Sequence, residues 1–209
     1  MTSALLTQMF RLRYEVFYRQ LAWEVDGTGD LERDEFDDLD PVYVLAVRHP
    51  DNTVVGCLRL LPTTGPHMLR HVAAFQPALQ GRPSPCSSRV WEISRLAVTP
   101  HTTATNTATT NTVAMNTAAT NTAADGFGPI PRALLAAAGT YAHGHEIDTF
   151  AVLSGVTVER KANASGIPTT RIGDHPTRIG TILCTTYCLP AAALAALAGT
   201  TTTDATANV

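Results

Sequence analysis

One short run, WEISRLAV at residues 91–98, limits this chain more than any other feature. It is apolar enough to be a buried strand, yet Glu92, Ser94 and Arg95 stand in its middle. A charge removed from water is costly unless an opposite charge or a set of hydrogen bonds meets it. A fold that buries this run must therefore bring other charged groups to it. The chain has them in three further segments. Residues 3–20 read as an amphipathic helix in which Leu6, Phe10, Arg13 and Phe17 fall on one line, so Arg13 sits inside the apolar stripe. Arg59 interrupts the apolar run TVVGCLRLLP at 53–62. Residues 24–40 hold nine of the eighteen acids against a single base, Arg33. Arg13, Arg59 and Arg95 are expected to meet Asp34, Asp37 and Glu92, either as structural salt bridges or around a ligand. In an ideal strand Glu92, Ser94, Leu96 and Val98 share one face and Trp91, Ile93, Arg95 and Ala97 the other. Glu92 and Arg95 then diverge unless a bulge intervenes.

The surrounding pattern predicts an α/β (α+β) single domain over 1–198, with a mixed central sheet covered by helices. Strands are expected at 42–48 and 53–62, joined by the hairpin signal HPDN, then at 90–98, 148–154 and 177–189. TTGPHML reads as a turn and 76–89 as a Pro/Ser-rich loop. Helices are expected at 131–147 and 155–166, the second ended by Gly166. Residues 101–125 start a new Asn-Thr at 106, 111, 116 and 121, a five-residue period that fits neither helix nor strand. They read as a low-complexity inserted loop, and 199–209 as a disordered tail.

Composition excludes several function classes. A net charge of -3 argues against a general nucleic-acid partner. No apolar run approaches the roughly 20 residues that span a bilayer, and the start lacks the basic head and apolar core of a secretory signal. A cytoplasmic enzyme without membrane partners is the expectation. Cys57, Cys86, Cys184 and Cys188 form no CxxC pair. Cys184 and Cys188 share a strand face, as a thiol pair or half a metal site would, but no His/Cys partner lies at ligand spacing nearby; all four read as buried core thiols, and no metal is expected.

Taken in order, Arg13-x-x-x-Phe17, Trp23, Asp34-x-x-Asp37, Arg59 in GCLRLLPTTGPHML, and WEISRLAV with Glu92 and Arg95 resemble the N-acyl-homoserine lactone synthases. These are the autoinducer synthases of bacterial quorum sensing. The similarity runs from about residue 9 to 98 and again, more weakly, from about 127 to 188. It implies an N-acetyltransferase-like fold with a V-shaped split in its sheet. It also implies S-adenosylmethionine as co-substrate, with no prosthetic group, and an acyl chain delivered on acyl carrier protein. The amine of S-adenosylmethionine would attack the acyl thioester, and its carboxylate would then displace the sulfonium to close a lactone and release methylthioadenosine. Under this resemblance Glu92 is the candidate base, with a backbone carbonyl and a bound water as the rival. Asp34 and Asp37 suit a cationic cofactor, Trp23 or Phe17 its sulfonium or adenine, and Arg13 or Arg59 its carboxylate. Arg95 would tie the acidic loop to the sheet. Phe75, Val152 and Ser154 are expected in the acyl pocket, Ser154 where a hydroxyl can touch a 3-oxo group. Arg160, Lys161, Arg171 and Arg178 form a candidate dock for an acidic carrier protein. An acetyl-CoA-dependent N-acetyltransferase would need a glycine-rich loop after ISRLAV, and the chain has no glycine there until Gly126. A non-catalytic sensor of an adenosyl or acyl ligand would not require so many buried charges.

Overall fold

The computed structural model describes residues 2–23, 26–99, 126–200 and 207–208. The expected inserted loop at 101–125 lies outside the described residues. The first helix, α1 (Ser3–Arg13), runs on without a break as a π-helix over Tyr14–Gln20. The wider turn alters the register expected for the 3–20 helix while keeping Arg13, Val16 and Phe17 buried. A small hairpin of β1 (Gly27–Thr28) and β2 (Leu31–Glu32) and a 3₁₀ turn at Glu35–Asp38 follow, none of which was among the expected elements.

The sheet begins with β3 (Val42–Arg48) and β4 (Thr53–Pro62), the expected hairpin. Between β4 and the next strand, the expected turn and loop contain two short helices, α2 (Met68–His71) and α3 (Gln76–Leu79). Then come β5 (Val90–Val98), α4 (Pro129–Gly144), β6 (Thr149–Gly155) and α5 (Val156–Ala164). Short strands β7 (Thr170–Arg171) and β8 (Thr177–Ile179) precede β9 (Ile182–Pro190) and α6 (Ala191–Ala195). The strand expected over 177–189 is thus a tight hairpin, broken where Gly180 takes a positive φ of 55°. A two-residue strand, β10 (Ala207–Asn208), pairs with β3 inside the segment expected to be an unstructured tail.

The sheet order is β10-β3-β4-β5-β6-β9-β7, with β8 also on β9; among the described residues only the β5–β6 pair is parallel. α1 and the π-helix that continues it cover one face, packing Met9, Leu12, Val16 and Phe17 against Leu45, Cys57 and Ala97. Helix α4, α5 and α6 residues fill the other face around Leu58, Leu60, Phe150 and Tyr187.

Two local features position everything that follows. The β5–β6 pairing stops at Ile93↔Val152, although β5 runs on to Val98 and β6 to Gly155, so the sheet opens as a V beyond that pair. On the other side of β5, Arg59 pairs with Ser94 and Cys57 with Ala97, which leaves one extra residue on β5. The bulge carries Arg95 at φ 53°. It also shifts the phase of the strand. Arg95 and Ala97 join the face of Glu92 and Ser94, while Leu96 and Val98 join Trp91 and Ile93 in the core under α4. The expected separation of Glu92 from Arg95 is thereby corrected.

Candidate functional site

Asp34 and Asp37 owe their aim to helix-capping chemistry. Asp34 is the N-cap of the 3₁₀ turn and accepts from the Phe36 amide at 3.0 Å, while Asp37 accepts from the Asp34 amide at 2.9 Å. This reciprocal box fixes both carboxylates on one side of the turn. Arg59, fully buried on β4, donates to Asp34 at 2.5 and 3.0 Å, to Asp37 at 2.7 Å and to Ser94 Oγ at 3.1 Å. Arg13, also fully buried, grips both oxygens of Asp37 at 2.8 Å and donates to Glu32. Arg95 reaches Glu32 at 3.0 Å and Asp34 at 2.7 Å. Tyr43 donates to Asp37 at 2.7 Å. Three guanidinium groups thus face three carboxylates, so the cluster is neutral within itself.

The energetics follow from that pairing. Burial works against the Arg13 charge, but hydrogen bonds to Asp37 and the charges of Glu32 and Asp37 outweigh it and raise its pKa. Burial likewise opposes ionisation of Asp37, and the Arg13 and Arg59 guanidiniums overcome it, holding the carboxyl below the usual range. Glu32, absent from the sequence-based site, is fully buried and completes the set. Its signal was the glycine-flanked turn at 27–30, which forms the hairpin that delivers it.

Glu92 differs from these acids in kind. Its carboxylate accepts from the amides of Met68 at 2.9 Å and Leu69 at 2.7 Å, not from a guanidinium. Burial pushes its pKa up to about 7, against the pull of those two amides and of the more distant Arg59 and Arg95 charges. Met68 also places its sulfur 3.1 Å from Arg59 and 3.3 Å from Arg95, joining this turn to the cluster.

The V holds two connected spaces. A wide mouth of about 670 Å³ is lined by Trp23, Asp26, Asp34, Glu35, Phe75 and Arg95 among others. A narrow cleft of about 100 Å³ lies deeper, between Glu92, Ser94, Phe127, Leu135, Val152, Ser154 and Tyr187. Phe17 stacks on Trp23 at 5.4 Å and carries the Arg95 guanidinium 5.4 Å above its ring. Thus Phe17, Trp23, Glu92 and Arg95 line the V with the three expected pocket residues, Phe75, Val152 and Ser154. Arg13 and Arg59 do not. Their donors are taken up by protein groups and neither is exposed, which removes the expected two-pronged grip on a ligand carboxylate from both.

Other expectations fare unevenly. The Ser154 hydroxyl pairs with Tyr187 Oη at 2.8 Å. Of the basic residues, Arg171 is held by Glu159 through bonds of 2.7 and 2.8 Å, and Arg178 donates to the Thr181 carbonyl. All four cysteines are free; Cys57 and Cys184 are buried, but Cys86 is exposed, which corrects its reading as a core thiol. Among the described residues no cluster of side chains is arranged to hold a metal, and no helix is long and apolar enough to cross a membrane.

Comparison with known proteins identifies relatives of the chain and of its fold. A family model described as autoinducer synthase matches residues 1–193. The acyl-homoserine-lactone synthase of Pseudomonas aeruginosa is 31% identical over 172 residues, covering 82% of this chain and 75% of that one. The solved structure of BjaI, a CoA-dependent acyl-homoserine lactone synthase with SAM and isopentyl-CoA, superposes with a TM-score of 0.73. It is 25% identical and covers 94% of this chain and 82% of its own. An N-acetyltransferase structure from Lactobacillus plantarum, at 16% identity and TM-score 0.53, covers 90% and 92% of the two chains and shares the fold alone.

Proposed function

The chain belongs to the autoinducer synthase family, and on that footing we propose that it makes an N-acyl-homoserine lactone from S-adenosylmethionine and acyl-[acyl carrier protein]. The observation that carries this reading is the place of Glu92. It lines the apolar cleft on the same strand as Arg95, which lines both the cleft and the acidic, aromatic mouth, and its pKa is near neutrality.

The mouth suits S-adenosylmethionine. Asp26, Asp34 and Glu35 favour its positive charge, and Trp23 offers a π-face to the sulfonium or adenine. Arg95 is the cluster's guanidinium that reaches the open space, and it is the proposed partner of the cofactor carboxylate. The narrow cleft takes the acyl chain, with Val152 and Phe75 as walls and the Ser154–Tyr187 hydroxyl pair in reach of a 3-oxo group. Glu92, directly or through one water, takes a proton from the α-amine as its nitrogen attacks the thioester carbonyl. The carrier thiolate leaves and is protonated. The cofactor carboxylate then attacks the carbon bound to sulfonium, the C–S bond breaks, and methylthioadenosine departs as the lactone closes. A carboxyl with a pKa near 7 is matched to this task, because it is partly ionised at neutral pH and still basic.

Acyl carrier protein is favoured over CoA by the start of α4. Pro129 and Pro131 remove two first-turn amides that a pyrophosphate cradle would use, and the Phe127 amide is already given to Ser165 Oγ at 2.8 Å. Exposed Arg160 and Arg178, with half-buried Lys161, offer positive charge for an acidic carrier, whereas Arg171 is neutralised by Glu159. The test is incubation with S-adenosylmethionine and either acyl-carrier protein or acyl-CoA. Lactone and methylthioadenosine are expected with the carrier, and turnover is expected to fall with salt while cofactor affinity changes little. Turnover of acyl-CoA alone would reassign the donor. Neither product from either donor would end the reading.

A further inference from the structure

The two amides that hold Glu92 belong to a turn with its own support, and none of it lies in the cavity. His67 is the N-cap of the four-residue helix α2, and it is fully buried. Its Nδ1 lies 2.9 Å from the Gly65 carbonyl and its Nε2 2.9 Å from Ser84 Oγ. A carbonyl only accepts, so Nδ1 carries the proton, and Nε2 accepts from the serine hydroxyl. Burial lowers the pKa of the ring, against the pull of its hydrogen bond to Gly65. The ring is therefore fastened at both ends, to the turn before it and to the loop between α3 and β5. The next two residues, Met68 and Leu69, present their amides to Glu92.

We propose that His67 is a positioning residue for Glu92: its doubly bonded ring fixes the turn whose Met68 and Leu69 amides orient the carboxylate. The inference rests on Glu92 being the proposed base, but its central claim concerns only the carboxylate. The groups facing Glu92 are those two amides from α2 and the guanidiniums of Arg59 on β4 and Arg95 on β5. The arginines are anchored to Glu32, Asp34 and Asp37 independently of His67. Loosening the turn weakens the two amide hydrogen bonds that favour the charged form, so the Glu92 titration moves upward.

The test compares the wild-type enzyme with His67→Asn, His67→Phe and Ser84→Ala. Two readouts are used: the pH profile of kcat with KM for S-adenosylmethionine, and infrared titration of the carboxyl band assigned with Glu92→Gln. In His67→Phe the carboxyl midpoint and the acid limb of kcat are expected to rise by about one pH unit, with KM changed by less than about twofold. Asparagine keeps the donor to Gly65 and should restore part of the shift, and Ser84→Ala should show a smaller rise. A folded His67→Phe protein with an unmoved midpoint overturns the proposal. If that variant does not fold, an unmoved midpoint in Ser84→Ala overturns it equally. A wild-type protein that makes no lactone would defeat the functional reading instead, and the infrared titration would still decide the brace.

Discussion

The two arms of the V handle buried polar groups in opposite ways. On the β3–β4–β5 arm, Arg13, Arg59 and Arg95 meet Glu32, Asp34 and Asp37, and every group is held by several others. On the β6–β9 arm the cleft is almost wholly apolar, and its polar feature is one neutral pair, Ser154 with Tyr187. Glu92 stands at the seam. It shares the face of the charged arm without sharing its cations, and so it keeps a basicity that an arginine-paired carboxylate loses. A saturated ion cluster makes a rigid wall, and the proposed base is the acid the cluster leaves unpaired.

Glu92→Gln probes that distinction with the largest expected effect. Glutamine keeps the size and one acceptor but cannot take a proton, so kcat for lactone formation should fall by about 10²- to 10⁴-fold. Cofactor affinity, measured by calorimetry, should change little. A loss of only a few-fold would hand the base role to a bound water and erase the functional difference between Glu92 and its neighbours.

Arg59→Met asks whether the charged arm is a unit. The change leaves Asp34 and Asp37 buried with fewer partners, and breaking such a pair costs about 3–5 kcal/mol in denaturant unfolding. The stability profile with pH should separate the two kinds of carboxyl. Asp37 has a lowered folded pKa, so its contribution is present above the unfolded value of about 3.9 and is lost as pH falls through the folded value. Glu92 has a raised one, so its ionisation costs stability as pH rises from about 4.3 towards about 7. Melting temperatures across that window should decline with pH in the wild type and decline less in Glu92→Gln. A parallel decline in both would place the titrating group elsewhere.

The same contrast explains what was legible in the sequence. Charges inside apolar runs are conspicuous because burial makes them expensive, so Arg13, Arg59, Glu92 and Arg95 could be picked out and their convergence expected. Their detailed aim was not legible. The bulge that turns Arg95 towards Asp34 depends on how β5 registers against β4, a non-local matter that side-chain alternation does not encode. Glu32 was one acid among nine until a two-residue hairpin singled it out. The strands β3, β4 and β5 were readable as largely apolar runs between turn residues, whereas the break before β9 depends on one glycine. The cleft was hardest to see, because Phe127, Leu135 and Tyr187 have the composition of any core. The parting of β5 from β6 makes some of that core the wall of a cavity.

The smallest expected effect tests the apolar arm. Tyr187 is almost fully buried, and its hydroxyl bonds to Ser154 Oγ at 2.8 Å. Tyr187→Phe removes one neutral hydrogen bond, worth about 1 kcal/mol net, and leaves a ring at home in apolar surroundings. The Ser154 hydroxyl retains the Gly155 carbonyl at 3.3 Å, so it is not left without an acceptor. Adding Ser154→Ala should cost little more, because deleting both members of a neutral pair leaves no unpaired group behind. Denaturant midpoints of the two single variants and the double variant complete the cycle. If Tyr187→Phe costs as much as Arg59→Met, the cleft depends on a polar network after all, and the two arms are built alike.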